Sequence, residues 1–183
     1  MRTDAELASA FRDGDDRAFA ILYDRYKGPL FVFACKMLGN EERARDLVQD
    51  VFLSLYEKRL QLARPESFRS WLFASGRNRC LSQLRRTDTD SPLDDGCFAV
   101  PIPASMLPDA RLEAGEEMRR LRHALARLRP EYREVLVLRE YEDMSYQEIA
   151  RITETAESVV RSRLFKARKA LHDALVSTAP GGR

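Results

Sequence analysis

The chain is poor in the residues that most often carry chemistry. It has two histidines and three cysteines in 183 residues. Cys35, Cys80 and Cys97 form no CxxC pair, and only His123 and His172 could join them at a metal. That excludes the common zinc spacings. The expectation is three ordinary buried or linker thiols, no metal and no cofactor. The eight glycines build no phosphate-cradling loop, and no histidine–carboxylate–nucleophile set stands out, so an enzyme is disfavoured. No apolar run approaches the ~18 residues that a membrane span needs. The opening "MRTDAELASAF" is charged and lacks the apolar core of a signal peptide. A cytoplasmic protein without membrane insertion is expected.

Strand patterns are missing too; helical periods fill the chain. Hydrophobic residues make up 44%, enough for folded cores. Thr3-x-x-Glu6 is a capping box that opens a first helix. Gly14 stops it, and Asp15 or Asp16 caps the next. Gly28-Pro29 is expected to kink or break that second helix, and Gly39 ends it. Asn40 caps a third, where Leu47, Val51 and Leu55, with Val48 and Phe52, form an apolar stripe. Arg64-Pro65 marks a loop. Ser67 caps a fourth helix, in which Phe68, Trp71, Leu72, Leu81 and Leu84 face inward. Trp71 belongs to that core stripe rather than to a stacking platform.

The stretch "TDTDSPLDDGCFAVPIPASMLPDA" then holds four prolines and no period. It is expected to be a linker. The reading is all-α: residues 1–87 as one small helical domain, 88–108 as an acidic, proline-rich linker, and 109–183 as a second helical domain. Charge follows the same division. Residues 91–117 carry one Arg against six acids, whereas residues 118–183 carry 14 Lys and Arg against 9 Asp and Glu. A basic C-terminal unit points to a polyanionic partner.

In that unit Pro130 suits the first turn of a helix. Ser145-x-x-Glu148 caps a helix of about two turns, a break follows at 153–155, and a long helix ends the chain. Short helix, tight turn and longer helix is the spacing of a helix-turn-helix. On the last helix Val160, Leu164, Ala167 and Leu171 fall in one arc at ~100° per residue. Arg161, Arg163, Lys166, Arg168 and Lys169 fill the rest, with Ser158, Ser162 and Phe165 among them. Flanking cations suit phosphate walls, and short or flat side chains suit base edges. A solvated basic helix would carry the same residues, but the short capped helix before it favours DNA binding.

These residues resemble the sigma-70 family of bacterial transcription initiation factors, and most of all its two-domain extracytoplasmic-function group. "LRPEYREVLVLREYEDMSYQEIARI" with "VVRSRLFKARKAL" is similar to the group's region 4. "AFAILYDRY", "ARDLVQDVFLSLYEK" and "SFRSWLFASGRNRCLSQLRR" are similar to its region 2. The resemblance implies that Asp46, Leu47, Gln49, Asp50 and Phe52 bind core RNA polymerase at the clamp helices of its largest subunit. It places Arg77, Asn78, Arg79, Arg85 and Arg86 on the −10 element. Ser158, Arg161, Ser162, Arg163, Phe165, Lys166, Arg168 and Lys169 would contact the −35 element, with region 4 near the polymerase flap. Promoter DNA, core polymerase and an anti-sigma factor are the implied partners, and the implied role is an alternative sigma factor for a stress or envelope-type regulon.

Two departures stand against the family pattern. Glu154 replaces the glycine or small residue expected at the helix-turn-helix turn, and "AESV" from Ala156 replaces a Pro-x-Gly-Thr run. Gly76, inside the fourth helix, costs ~1 kcal/mol against alanine. A stand-alone helix-turn-helix regulator with an N-terminal dimerisation or sensor module remains the competing reading, although it leaves "DLVQDVF" without a role.

Overall fold

The computed structural model describes residues 2–62, 67–86, 97 and 123–176, with side chains to Asp173. The described residues form helices and no strand. They are α1 (Asp4–Arg12), α2 (Asp16–Leu38), α3 (Glu41–Glu57), a 3-10 turn (Arg59–Gln61), α4 (Phe68–Arg86), α5 (Pro130–Glu140), α6 (Tyr146–Thr153) and α7 (Glu157–Val176). Residues 123–127 are also helical. The expected linker, apart from Cys97, and the Arg64-Pro65 loop lie outside the described residues.

The N-caps of α1, α2, α3 and α6 act where the sequence places them. Thr3 accepts the Glu6 amide while the Glu6 carboxylate accepts the Thr3 amide. Asp15 accepts the amides of Arg17 and Ala18, and Asn40 accepts that of Arg43 at 2.8 Å. Gly39 takes a left-handed conformation, φ 66°, and closes α2 by donating to the Cys35 carbonyl. Pro130 occupies the first turn of α5. Ser145 and Glu148 complete a second capping box.

Of the kink or break expected at Gly28-Pro29, the break does not occur: α2 runs through Pro29 for 23 residues. Proline removes one backbone hydrogen bond there. Leu22, Tyr26, Leu30, Phe33, Ala34 and Met37 are all buried along the same helix. That burial, at roughly 1.5–3 kcal/mol for each large side chain, outweighs the local loss.

Helices α1 to α4 pack around one core. Leu47, Val48, Val51, Phe52 and Leu55 of α3 are buried as their spacing requires, as are Phe68 and Leu72 of α4. Trp71, Leu81 and Leu84 are partly buried against the same core. Gly76 has a structural reason: a Cβ there would stand 2.7 Å from Leu30 Cδ1 and 3.9 Å from Leu47 Cδ2. Its bare backbone lets α4 settle close to α2 and α3.

In the C-terminal half α5 is buried nearly all round, through Val135, Leu136, Val137 and Leu138. The stripe Val160, Leu164, Ala167 and Leu171 seats α7 on it. The two halves also pack on each other, α2 against α5 and α4 against α6. Sequence periodicity gives no sign of that seam.

Candidate nucleic-acid interface

The basic helix α7 presents its outer face to solvent. Ser158, Arg161, Ser162, Lys166 and Lys169 are exposed, and Phe165 is 70% exposed. The Arg161 guanidinium lies 5.3 Å from the Tyr146 ring centroid, within cation–π range. Tyr146 begins α6, so the first helix of the motif steadies a side chain on the second. Arg168 reaches Glu140 at 2.6 Å, and half-buried Arg163 reaches Glu134 at 3.4 Å. Both arginines therefore hold carboxylates of α5. Arg161, Lys166 and Lys169 carry no ion pair among the described residues.

Glu154 stands at the turn between α6 and α7 and takes the left-handed conformation, φ 54° and ψ 42°. The turn keeps its shape without glycine. The Thr155 amide donates to the Ala150 carbonyl at 3.0 Å, and the Thr153 and Thr155 hydroxyls bond at 2.9 Å.

On α4, Asn78 is exposed, as are Arg85 and Arg86 in the last turn. Arg79 is half-buried, and its Nη2 lies 3.5 Å from the Asp50 carbonyl. Arg77 differs from the others. It points into the seam between the halves, where its Nε and Nη2 reach the two oxygens of Glu134 at 2.6 and 3.3 Å. In this arrangement it is not free for a DNA strand.

The seam is built mostly from N-terminal cations and C-terminal acids or carbonyls. Arg69 Nη2 donates to the Glu142 carbonyl at 2.5 Å, and Nη1 lies 3.7 Å from Glu148. In the reverse direction, buried Arg133 donates to the Met37 carbonyl at 2.7 Å. It also donates to the carbonyls of Ala126 and Leu128. Burial pulls Arg133 down to about 10, which leaves it charged at neutral pH. Burial pushes Glu134 up against the opposing pull of Arg77 and Arg163. Burial also raises Glu142 to about 7, with Arg69 opposing. Glu134 is not marked out by any motif in the sequence. Its one signal is an acid standing directly before the apolar run 135–138.

On α3, Asp46, Gln49 and Asp50 form an exposed polar rim. Leu47 and Phe52 do not belong to that surface, contrary to the expectation for them. Leu47 is fully buried, and Phe52 packs edge-on to Tyr23 at 4.9 Å. They anchor the helix that carries the rim. The exposed apolar neighbours are Ile21, Tyr23, Leu53, Tyr56 and Leu60.

Comparison with known proteins settles the family. The model for Sigma-70 region 2 matches residues 22–89, and that for Sigma-70 region 4 matches residues 118–171. The RNA polymerase sigma factor CarQ of Myxococcus xanthus is 30% identical over 169 residues, covering 90% of this chain and 93% of its own. The chain belongs to the extracytoplasmic-function group of the sigma-70 family. The ECF RNA polymerase sigma factor SigW of Bacillus subtilis is 26% identical over 172 residues, covering 90% of this chain and 92% of its own. Among solved structures, CnrH in complex with the cytosolic domain of CnrY matches with a TM-score of 0.74 and 26% identity. That match covers 96% of this chain and 99% of the other. The sigma factor RpoE of Bartonella quintana, in complex with the anti-sigma factor NepR, shares the fold at a TM-score of 0.63 and 24% identity. It covers 88% of this chain and 98% of the other.

Within the sigma factor, then, the region 2 match takes in most of α2 with α3 and α4, and the region 4 match takes in residues 123–127, α5, α6 and most of α7. No described helix is long and apolar enough to cross a membrane.

Proposed function

We propose that this sigma factor binds core RNA polymerase through the polar rim of α3 and directs it to promoters by reading a −10 element with α4 and a −35 element with α7. The observation that carries the reading is the division of α7. One narrow stripe is buried on α5, and the opposite face exposes Arg161, Ser162, Phe165, Lys166 and Lys169. That face suits a major groove: the lysines meet phosphate, while Arg161 and Phe165 reach base edges and thymine methyls. Asn78, Arg85 and Arg86 are poised for the −10 strand, and Arg77 joins them once the seam opens.

The exposed carboxylates Asp46 and Asp50 favour a basic partner surface, as the clamp helices of the polymerase largest subunit would supply. The factor then works in the cytoplasm, where the polymerase acts. An anti-sigma protein is the proposed regulator, by analogy with the Bartonella complex, and a stress or envelope-type regulon is the proposed output. A pull-down with the products of neighbouring open reading frames checks the regulator; no binder among them removes its support.

The function is tested by a gel shift on promoter fragments with and without core polymerase. Retention of a specific fragment only in the presence of core is expected. Tight, symmetric binding by the factor alone, indifferent to polymerase, would make it a stand-alone repressor or activator instead.

A further inference from the structure

Cys35 and Cys97 face each other as a disulfide, with Cα atoms 4.9 Å apart, a separation that suits a bridge. Both are fully buried. The pairing corrects the expectation of ordinary thiols; a spacing of 62 residues left no motif to reveal it. Cys35 sits in the last turns of α2. Its neighbour Met37 holds Arg133 through its carbonyl, and Lys36 lies 5.0 Å over the Tyr141 ring. Cys97 comes from the connection between regions 2 and 4. The bridge thus fastens the connection to region 2 at the edge of the seam with region 4.

We propose that Cys35 and Cys97 are a thiol-oxidation site, whose reversible disulfide holds the two DNA-reading regions closed and blocks promoter engagement. The proposal rests on the sigma-factor reading and adds a chemical input to it. In a reducing compartment such bridges are mostly transient and redox-sensing rather than permanent.

The seam contacts give the mechanism. The turn of α2 that carries Cys35 also carries Lys36, over the Tyr141 ring, and Met37, whose carbonyl accepts from Arg133. A bridge at Cys35 steadies that turn, and with it the surface on which region 4 rests, so the closed form is favoured when the pair is oxidised.

The chemistry needs a hydroperoxide as oxidant. When Cys97 is exposed to solvent, its thiolate attacks the terminal oxygen of the hydroperoxide; the O–O bond breaks, a sulfenic acid forms, and the leaving oxide takes a proton from solvent to depart as water or an alcohol. The Cys35 thiol then attacks the sulfenic sulfur; the S–S bond forms and a second water leaves. A dithiol reductant reverses this through two exchange steps, returning both protein thiols and becoming a disulfide itself. Cys80 is buried and unpaired and takes no part.

The experiment uses the full chain with core polymerase, after hydrogen peroxide and again after dithiothreitol. Peptide mapping without reduction is expected to find Cys35 linked to Cys97. Run-off transcription should fall by roughly tenfold or more on oxidation and recover on reduction. Cys97→Ser should transcribe equally in both conditions, and Cys80→Ala should respond as the parent does. Hydrogen exchange needs no polymerase: oxidation should slow exchange in α5 and at the end of α2. Absence of the linked peptide, or unchanged exchange in the cross-linked chain, overturns the proposal. So does full transcription by the cross-linked chain. A reduced chain that never transcribes contradicts the sigma-factor reading instead, and the mapping and exchange still decide the latch.

Discussion

Arg77 of region 2 and Glu134 of region 4 form a two-point ion pair, 2.6 and 3.3 Å, across the seam between the halves. Glu134 is 1% exposed and Arg77 15%. Arg163 of α7 approaches the same carboxylate at 3.4 Å. One buried acid therefore occupies an arginine assigned to each promoter element. If these arginines contact DNA as proposed, the acid stands where a phosphate would, and the closed arrangement should compete with DNA.

Removing that acid should release both arginines. A buried pair that loses one partner is destabilised by about 3–5 kcal/mol, so Glu134→Ala should abolish the closed arrangement. Binding of the free factor to non-specific duplex DNA should then tighten, by a larger factor at low salt than at high salt. Titration of fluorescent DNA without polymerase checks this; unchanged affinity would show that the pair does not compete with DNA.

Acidity should tune the same seam. Glu142 sits beside Arg69, and burial raises its carboxyl from 4.5 to about 7. A raised acid binds its proton more tightly in the closed state than in an open, hydrated one. Its contribution is complete below 4.5 and disappears as pH rises through about 7. Closure should therefore weaken progressively between about pH 4.5 and pH 7, and Glu142→Gln should flatten that dependence. Small-angle scattering against pH, on parent and variant, reads it directly; expansion towards acid would reverse the sign and refute the assignment.

Glu154 stabilises nothing by its backbone conformation. A left-handed non-glycine residue costs about 1–2 kcal/mol, and glycine returns part of that as chain entropy. Glu154→Gly should raise stability by about 0.5–1 kcal/mol in urea unfolding, with DNA binding retained. A loss of stability would mean that the Glu154 side chain makes a contact worth more than the strain.

The fold was largely legible because its signals are local. Thr3 with Glu6, Asn40, Gly39, Pro130 and Ser145 with Glu148 each act within four residues, and the stripes of α3 and α7 repeat at helical spacing. The periodicity of α3 had already placed Leu47 and Phe52 on the buried side; the family resemblance drew them to the surface, and the packing returned them to the core. What escaped detection is long-range. Glu134 and Arg77 are 57 residues apart, and Cys35 and Cys97 are 62; neither pair leaves a period. The break allowed for at Pro29 did not occur because the rule for proline is local, while the burial that overrides it is tertiary.

On α7 the exposed cations should divide by role. Arg161, held beside Tyr146, should read a base edge, and Arg161→Ala should cost about 1–3 kcal/mol on the preferred promoter and relax its sequence preference. Lys169→Ala should weaken binding evenly across sequences and lower the salt slope by about one. Competition binding of holoenzyme to a randomised −35 library separates the two; silence in both variants would remove α7 from the groove.

The most direct test of the whole account is run-off transcription from genomic DNA of the source organism, with core polymerase and the reduced factor as the only additions. Discrete start sites are expected, each preceded by a shared pair of elements near −35 and −10, together with their loss on Asp46→Arg. Transcription no different from core polymerase alone would contradict it.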